Sequence, residues 1–305
     1  MNARKIYAKT MKFVWLKLGV GAVVTAISLA LLALVMWIAS LFGGGAVVFW
    51  MGLMWIGLTY GVYSFAMHYA GYMIKAAHIA VVTEAVTTGE VPENMVETGK
   101  DMVTSRFAAT NVYVVLDRLI GGAVKQLQNT VGKIDNIFGE IPGVSTLVSF
   151  VQLFIGIALG YVDECCLGYT FIKKEDNAFK AGCDGVVVYF QNAKHLLKSA
   201  LGTTVIVMAL TFVAWLVPFI IMGTICKAMS IPGGFAALLA MVIALAIKAA
   251  FIDSYMMVRT MVAYMQVAPS TEVGFDIYDK LCKLSGKFKE LFKKAQEPTT
   301  NHAAA

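Results

Sequence analysis

Four apolar stretches, at 18–42, 46–73, 202–226 and 235–257, dominate this 305-residue chain. A helix needs about 20 apolar residues to cross the hydrocarbon of a bilayer, and each stretch supplies that length. The chain is 59% hydrophobic and 14% charged, against about 45–50% and 25% in soluble domains. An integral, all-α membrane protein is the class that fits. The formal charge of +6 then reads as an orientation signal. No basic run is interleaved with aromatics for base stacking, so no nucleic-acid partner is expected.

The stretches pair off. Gly43, Gly44 and Gly45 leave room only for a tight hairpin between the first two, and Ser230-Ile231-Pro232-Gly233-Gly234 joins the last two. Residues 1–17 form a basic lead-in, with Ile6, Met11, Val14 and Leu18 opposite the lysines, expected to lie along the bilayer surface. The first apolar run exceeds the apolar core of about 7–15 residues in a cleavable signal, so it reads as a retained anchor. The first hairpin occupies 18–74. Residues 75–140 are mixed, with turn signals at Thr88-Gly89, Val91-Pro92 and Glu97-Thr98-Gly99. Leu116, Ile120, Val124, Leu127, Val131, Ile134 and Phe138 then trace one helical face. That stripe packs on the bilayer, on another helix of the chain or on a second copy. A basic amphipathic segment at 173–200 leads into the second hairpin, 201–257, where Pro218 predicts a kink. In 258–296, Ile277, Leu281, Leu284, Phe288, Leu291 and Phe292 face away from six lysines, which predicts a basic helix suited to an anionic leaflet. Residues 297–305 read as disordered.

One segment decides the topology. Residues 141–172 are apolar for most of their length, yet carry Asp163 and Glu164 side by side. A carboxylate in hydrocarbon costs about 2.5 kcal/mol or more. If this segment stays on one side, four crossings place 24 of the 25 Lys and Arg residues together; if it crosses, the division is 12 against 13. The positive-inside bias selects the first arrangement. The expected fold has two transmembrane hairpins in the plasma membrane, both termini cytoplasmic. The 141–172 segment then lies in the interface, re-enters, or is buried by other helices. The halves also share short patterns, Ile74-Lys75-Ala76-Ala77 recurring as Ile247-Lys248-Ala249-Ala250, consistent with a parallel repeat.

Charges at membrane depth are the candidates for a polar pathway: Asp163, Glu164, Lys248, Asp253 and His68. Lys248 and Asp253 are five apart and do not stack on one α-helical face. The five cysteines have no ligand-type spacing and read as reduced, small apolar residues. No hydrolase, metalloprotease, nucleotide or dinucleotide motif is present, so no enzyme, metal or cofactor is expected.

From about 108 to 267 the chain resembles the carboxy-terminal portion of choline-transporter-like membrane proteins. The residues that carry the likeness are Cys165-Cys166 beside Glu164, then Asn177-Ala178-Phe179, then Tyr189, Asn192, Ala193 and Lys194, then Phe251-Ile252-Asp253-Ser254-Tyr255. Two departures stand out: members of that family have about twice as many crossings and a sizeable external domain, and the order of Cys and acidic residues is reversed here. The resemblance implies in-plane cytoplasmic helices and, more distantly, a small organic cation as solute. Aromatic cages hold quaternary ammonium groups, and Trp50, Trp55, Tyr60 and Trp215 are the candidates. Two function classes follow: a solute pathway, as transporter or oligomeric channel, and a membrane-organising scaffold. A homo-oligomer suits both.

Overall fold

The computed structural model describes residues 2–42, 45–66, 70–107, 110–133, 156, 160–174, 176–228 and 233–297. His68, most of the 141–172 segment and the tail beyond 297 lie outside them. Among the described residues thirteen α-helices follow in order: α1 (Ala3–Lys9), α2 (Met11–Phe42), α3 (Gly45–Ala66), α4 (Tyr72–Thr88), α5 (Met95–Phe107), α6 (Thr110–Lys133), α7 (Val162–Ile172), α8 (Ala178–Gln191), α9 (Ala193–Ala228), α10 (Gly233–Ile247), α11 (Asp253–Val267), α12 (Phe275–Leu284) and α13 (Gly286–Gln296). A π-helical turn, Lys248–Ile252, joins α10 to α11. No strand occurs among the described residues.

Two regions separate by what their apolar side chains touch. The α2–α3 and α9–α10 pairs carry much of theirs exposed, including Trp37, Leu41, Trp50, Phe65, Phe212 and Ile220. Ser28 on α2 meets Thr59 on α3 at 2.8 Å, and Trp55 donates to the Ser28 carbonyl. Partners equally far from the 43–44 connection make this an antiparallel pair. α9 and α10 also lie against each other, and beyond α10 Ile252 of the π turn and Met256 of α11 pack on Val207 of α9. Two helical stretches, Met11–Ser28 and Thr204–Ala228, are long and apolar enough to cross a membrane; α5 with α6, bent by 85°, makes a third if the two count as one span. Pro218 sits inside α9, which continues through it as one helix.

The remaining helices form a packed body with one core, in which Ile6, Ile79, Leu116, Ile120, Leu167, Tyr189, Tyr264 and Phe288 are buried. Its centre is α7, with nine of eleven residues buried, packed against α4, α6, α8 and α11. The described end of the 141–172 segment is therefore covered by protein. For the described part of the 116–138 stripe the structure selects another helix: Leu116, Ile120, Val124 and Leu127 are buried, and α6 lies against α13; Ile134 and Phe138 lie outside the described residues.

Three expectations are corrected here. The tail is two helices, α12 and α13, separated at Ser285, whose hydroxyl caps α13 through the Phe288 N–H. Tyr278, Leu281, Phe288 and Leu291 point into the body, so this apolar face is not free for a leaflet. The amino-terminal lead-in is likewise docked: Ile6 is buried, and the Tyr7 hydroxyl donates to the Phe251 carbonyl at 3.1 Å. Glu97-Thr98-Gly99 is not a turn but part of α5. A Cβ on Gly99 would lie 2.8 Å from the Ala77 carbonyl oxygen, so this glycine lets α4 and α5 approach closely. Gly89, with φ +82°, does end α4.

Candidate functional site

Where the hairpins meet the body, four helices come together near their amino ends, and their first two turns carry charge. Lys17 is in α2, Lys75 in α4, Asp163 and Glu164 in α7, and Asp253 opens α11. Each stands at the edge of an apolar run, where a charge still reaches other polar groups. Together they make a polar seam of three nodes.

At the first node Lys75 Nζ lies 3.1 Å from Asp117 Oδ1, 3.0 Å from Asp163 Oδ2 and 3.3 Å from Glu164 Oε1. Burial alone would lower the Lys75 pKa, but Glu164, Asp163 and Asp117 outweigh it and hold the ammonium well above its ordinary value. Burial, then the neighbouring Asp163 charge, pushes Glu164 well above the usual carboxylate range. Asp163 is also pushed up by burial, but Lys75 together with a side-chain hydrogen bond to Glu164 outweighs this and lowers its pKa. The adjacent acids titrate as a pair, with the proton favoured on Glu164. Among the described residues, Glu164 Oε2 and the Tyr113 hydroxyl are buried polar atoms without a hydrogen-bond partner.

At the second node Lys248 Nζ sits 2.7 Å from Asp253 Oδ1, to which Tyr161 also donates at 3.2 Å. The five-residue spacing, wrong for an α-helix, is right for the π turn, in which the Asp253 N–H bonds the Lys248 carbonyl. At the third node Lys17 Nζ donates to Ser254 Oγ at 3.0 Å and approaches His78 Nδ1 at 3.5 Å. His78 Nε2 meets Thr10 Oγ1 at 3.1 Å. The Thr10 proton is committed to the Ile6 carbonyl, so His78 carries its hydrogen on Nε2 and offers Nδ1 to Lys17. Burial, reinforced by Lys17, holds the His78 pKa well below its ordinary value, and the ring is neutral.

The structure therefore gathers Asp163 and Glu164 at one node and Lys248 with Asp253 at the next. Trp50 and Tyr60 are exposed on α3, Trp55 is tied to Ser28, and Trp215 stacks on Phe219 at 5.2 Å. None of these rings contributes to the seam contacts described above. Sequence reasoning missed Lys17, Lys75, His78, Asp117, Tyr161 and Ser254. Its signal was present: two adjacent acids in an apolar segment require a cation, and Lys17 and Lys75 are the lysines flush with the first hairpin. A groove of about 800 Å³ along α2 and α3, lined by Trp15, Val23, Val62 and Phe65, lies apart, and Lys12 is the one charged group among its described lining. Among the described residues no group of three His, Cys, Asp or Glu side chains is placed to hold a metal. The cysteines are free, with Cys165, Cys166, Cys183 and Cys226 buried.

Fold and site define an all-helical protein, compatible with membrane embedding, with a buried charge seam where its apolar helices join a packed body. No family model, curated protein or solved structure matches the chain.

Proposed function

We propose that the protein is a multi-pass plasma-membrane protein that forms a pathway for a small solute, by preference a small organic cation, and that it catalyses no reaction. In this reading 18–42, 46–73, 202–226 and 235–257 cross, both termini are cytoplasmic, and the body hangs beneath an anionic leaflet. Four crossings make a small bundle, so copies assemble as a homo-oligomer. Kinship with choline-transporter-like proteins belongs to the same proposal.

The observation that carries the reading is the seam itself, since buried ionisable groups at the base of apolar helices are costly and are retained where ions or polar solutes pass. The Lys75–Asp163 contact supports an even number of crossings between the two residues, since a single crossing separates its ends by about 30 Å.

One observation favours a scaffold instead. Among the described residues the two hairpins touch each other sparingly and turn much apolar surface outward, as subunits of a larger array would. Uptake of labelled small ammonium ions by liposomes separates the readings. Flux that falls by about tenfold in Asp253→Asn supports the pathway, one such step corresponding to about 1.4 kcal/mol. Wild-type liposomes without flux above protein-free controls overturn it in favour of the scaffold.

A further inference from the structure

A lysine ammonium has three N–H donors and no acceptor. Lys75 donates to Asp117 Oδ1 on α6 and Asp163 Oδ2 on α7, and stands in an ion pair with Glu164 Oε1 of α7 at 3.3 Å. None of the three belongs to its own helix, so the acceptors form a cup built by the body into which α4 inserts its side chain. The match does not exhaust the cup. The Tyr113 hydroxyl, on a residue only 2% exposed, and Glu164 Oε2 stay unpartnered. Tyr113 stands one turn before Asp117 on α6, on the same helix face, with its ring against Tyr72, one turn before Lys75 on α4. Orphaned buried polar atoms are uncommon enough in folded proteins to require a reason. Asp117 and Asp163 both contact the one Lys75 ammonium. The cup is also reachable, because the Lys75 and Asp163 side chains keep 25% and 21% of their surface exposed while Asp117 and Glu164 keep 10% and 12%.

We infer that Lys75 is a tethered occupant of a cation site formed by Asp117, Asp163, Glu164 and Tyr113, and that a small primary ammonium displaces it. The inference rests on the solute-pathway reading and names its solute class. It parts from the quaternary ammonium that the family resemblance implies. A quaternary nitrogen has no N–H to give the Asp117 and Asp163 oxygens and is held by ring faces instead, and the cup presents oxygens. A primary ammonium reproduces the Lys75 contacts one for one.

The test is equilibrium binding of labelled n-propylammonium to the full chain in detergent, with tetramethylammonium as competitor at matched ionic strength. n-Propylammonium replaces the part of the lysine side chain that Lys75→Ala removes. The expected result is saturable binding to wild type that tetramethylammonium does not displace. Binding should be at least about tenfold tighter in Lys75→Ala, since an internal competitor lowers apparent affinity by the fraction of time the site is free. Asp163→Asn should weaken wild-type binding by a similar factor. Binding confined to Lys75→Ala would make Lys75 a fixed structural partner and overturn the inference. So would equal competition by tetramethylammonium. If Lys75→Ala fails to fold, the comparison of wild type with Asp163→Asn decides alone. Binding without liposome flux sinks the pathway and leaves the site; flux without n-propylammonium binding sinks the site and leaves the pathway.

Discussion

His78 lies over Phe13, ring centroids 4.9 Å apart and the planes 13° from parallel, with Lys17 at one ring nitrogen and Thr10 at the other. A second positive charge there would face the Lys17 ammonium without water, so the folded protein binds this proton only far below the usual range, while the unfolded chain takes it up near pH 6.5. Stability from a neutral His78 is therefore present above about pH 6.5 and lost as the pH falls towards the folded value, by up to about 1.4 kcal/mol per pH unit. Glu164 works in the opposite sense. Buried beside Asp163, it keeps its proton when folded, so its contribution is lost as the pH rises from about 4.5 towards its folded pKa. Thermal melting in detergent between pH 5 and 8 should show His78→Gln without the acid-side loss of wild type. Glu164→Gln, which keeps the shape of the protonated acid, should lack the loss on the alkaline side. Unchanged pH slopes in both variants would mean that these groups titrate alike in folded and unfolded chains. Arg106 is a residue-scale determinant of another kind. Its guanidinium donates to the carbonyls of Thr170, Lys173, Lys174 and Asp176 at 2.7–3.2 Å, gathering backbone acceptors at the carboxyl end of α7. Each hydrogen bond to a charged group contributes about 1.5–3 kcal/mol, and water replaces part of this at a half-exposed site. Arg106→Ala should cost about 2 kcal/mol in denaturant unfolding, and Arg106→Lys, lacking the fork, should recover little of it.

At the scale of the element, periodicity was the readable part. The 116–127 ladder is the buried face of α6, and the long apolar runs are the long helices. What escaped were features written in neither period nor composition. The π turn at Lys248–Ile252 inserts a residue's worth of rotation without any proline or glycine to announce it, and so a pair judged out of register sits at 2.7 Å. Gly99 carries the same composition as a turn glycine, yet its role is to let the Ala77 backbone approach. The tail read as one helix because its lysine and leucine spacing continues across Ser285, where the extended backbone, ψ 114°, reverses nothing in the pattern. Asp163 and Glu164 were legible as charges in the wrong medium; their partner was not, because Lys75 is 88 residues from Asp163 along the chain. Gly99→Ala tests the close contact directly. Its new methyl meets the Ala77 backbone and Val81, both on α4, so relief requires α4 and α5 to separate. The expected destabilisation is about 1–3 kcal/mol, the range for overpacking, with helix content by circular dichroism unchanged. A neutral or stabilising effect would show that the two helices part freely.

For the whole molecule, the seam constrains orientation more tightly than lysine counting does. Residues 17, 75, 163, 164, 253 and 254 belong to four helices and share hydrogen bonds or ion pairs, so all four helix ends lie at one level. In the proposed four-crossing topology a membrane across the exposed apolar stretches of α2, α3, α9 and α10 leaves the body on a single side, with Lys227 near the opposite end of α9. Basic residues on the body side serve the positive-inside bias, and the lone Lys227 opposes it. Cysteine accessibility measures this arrangement. In a chain whose partly exposed Cys282 is replaced by serine, the other four thiols are buried and silent. A maleimide that cannot enter cells should then modify Lys227→Cys on intact cells. Lys180→Cys, half-exposed on α8, and Lys287→Cys on α13 should react only after permeabilisation. Each substitution replaces an exposed side chain, so folding is preserved and silence reports location. Labelling of Lys180→Cys from outside would place the body across the membrane from the amino terminus. Lys75 and Asp163 would then have to meet from opposite faces of the bilayer, which their 3.0 Å contact does not permit.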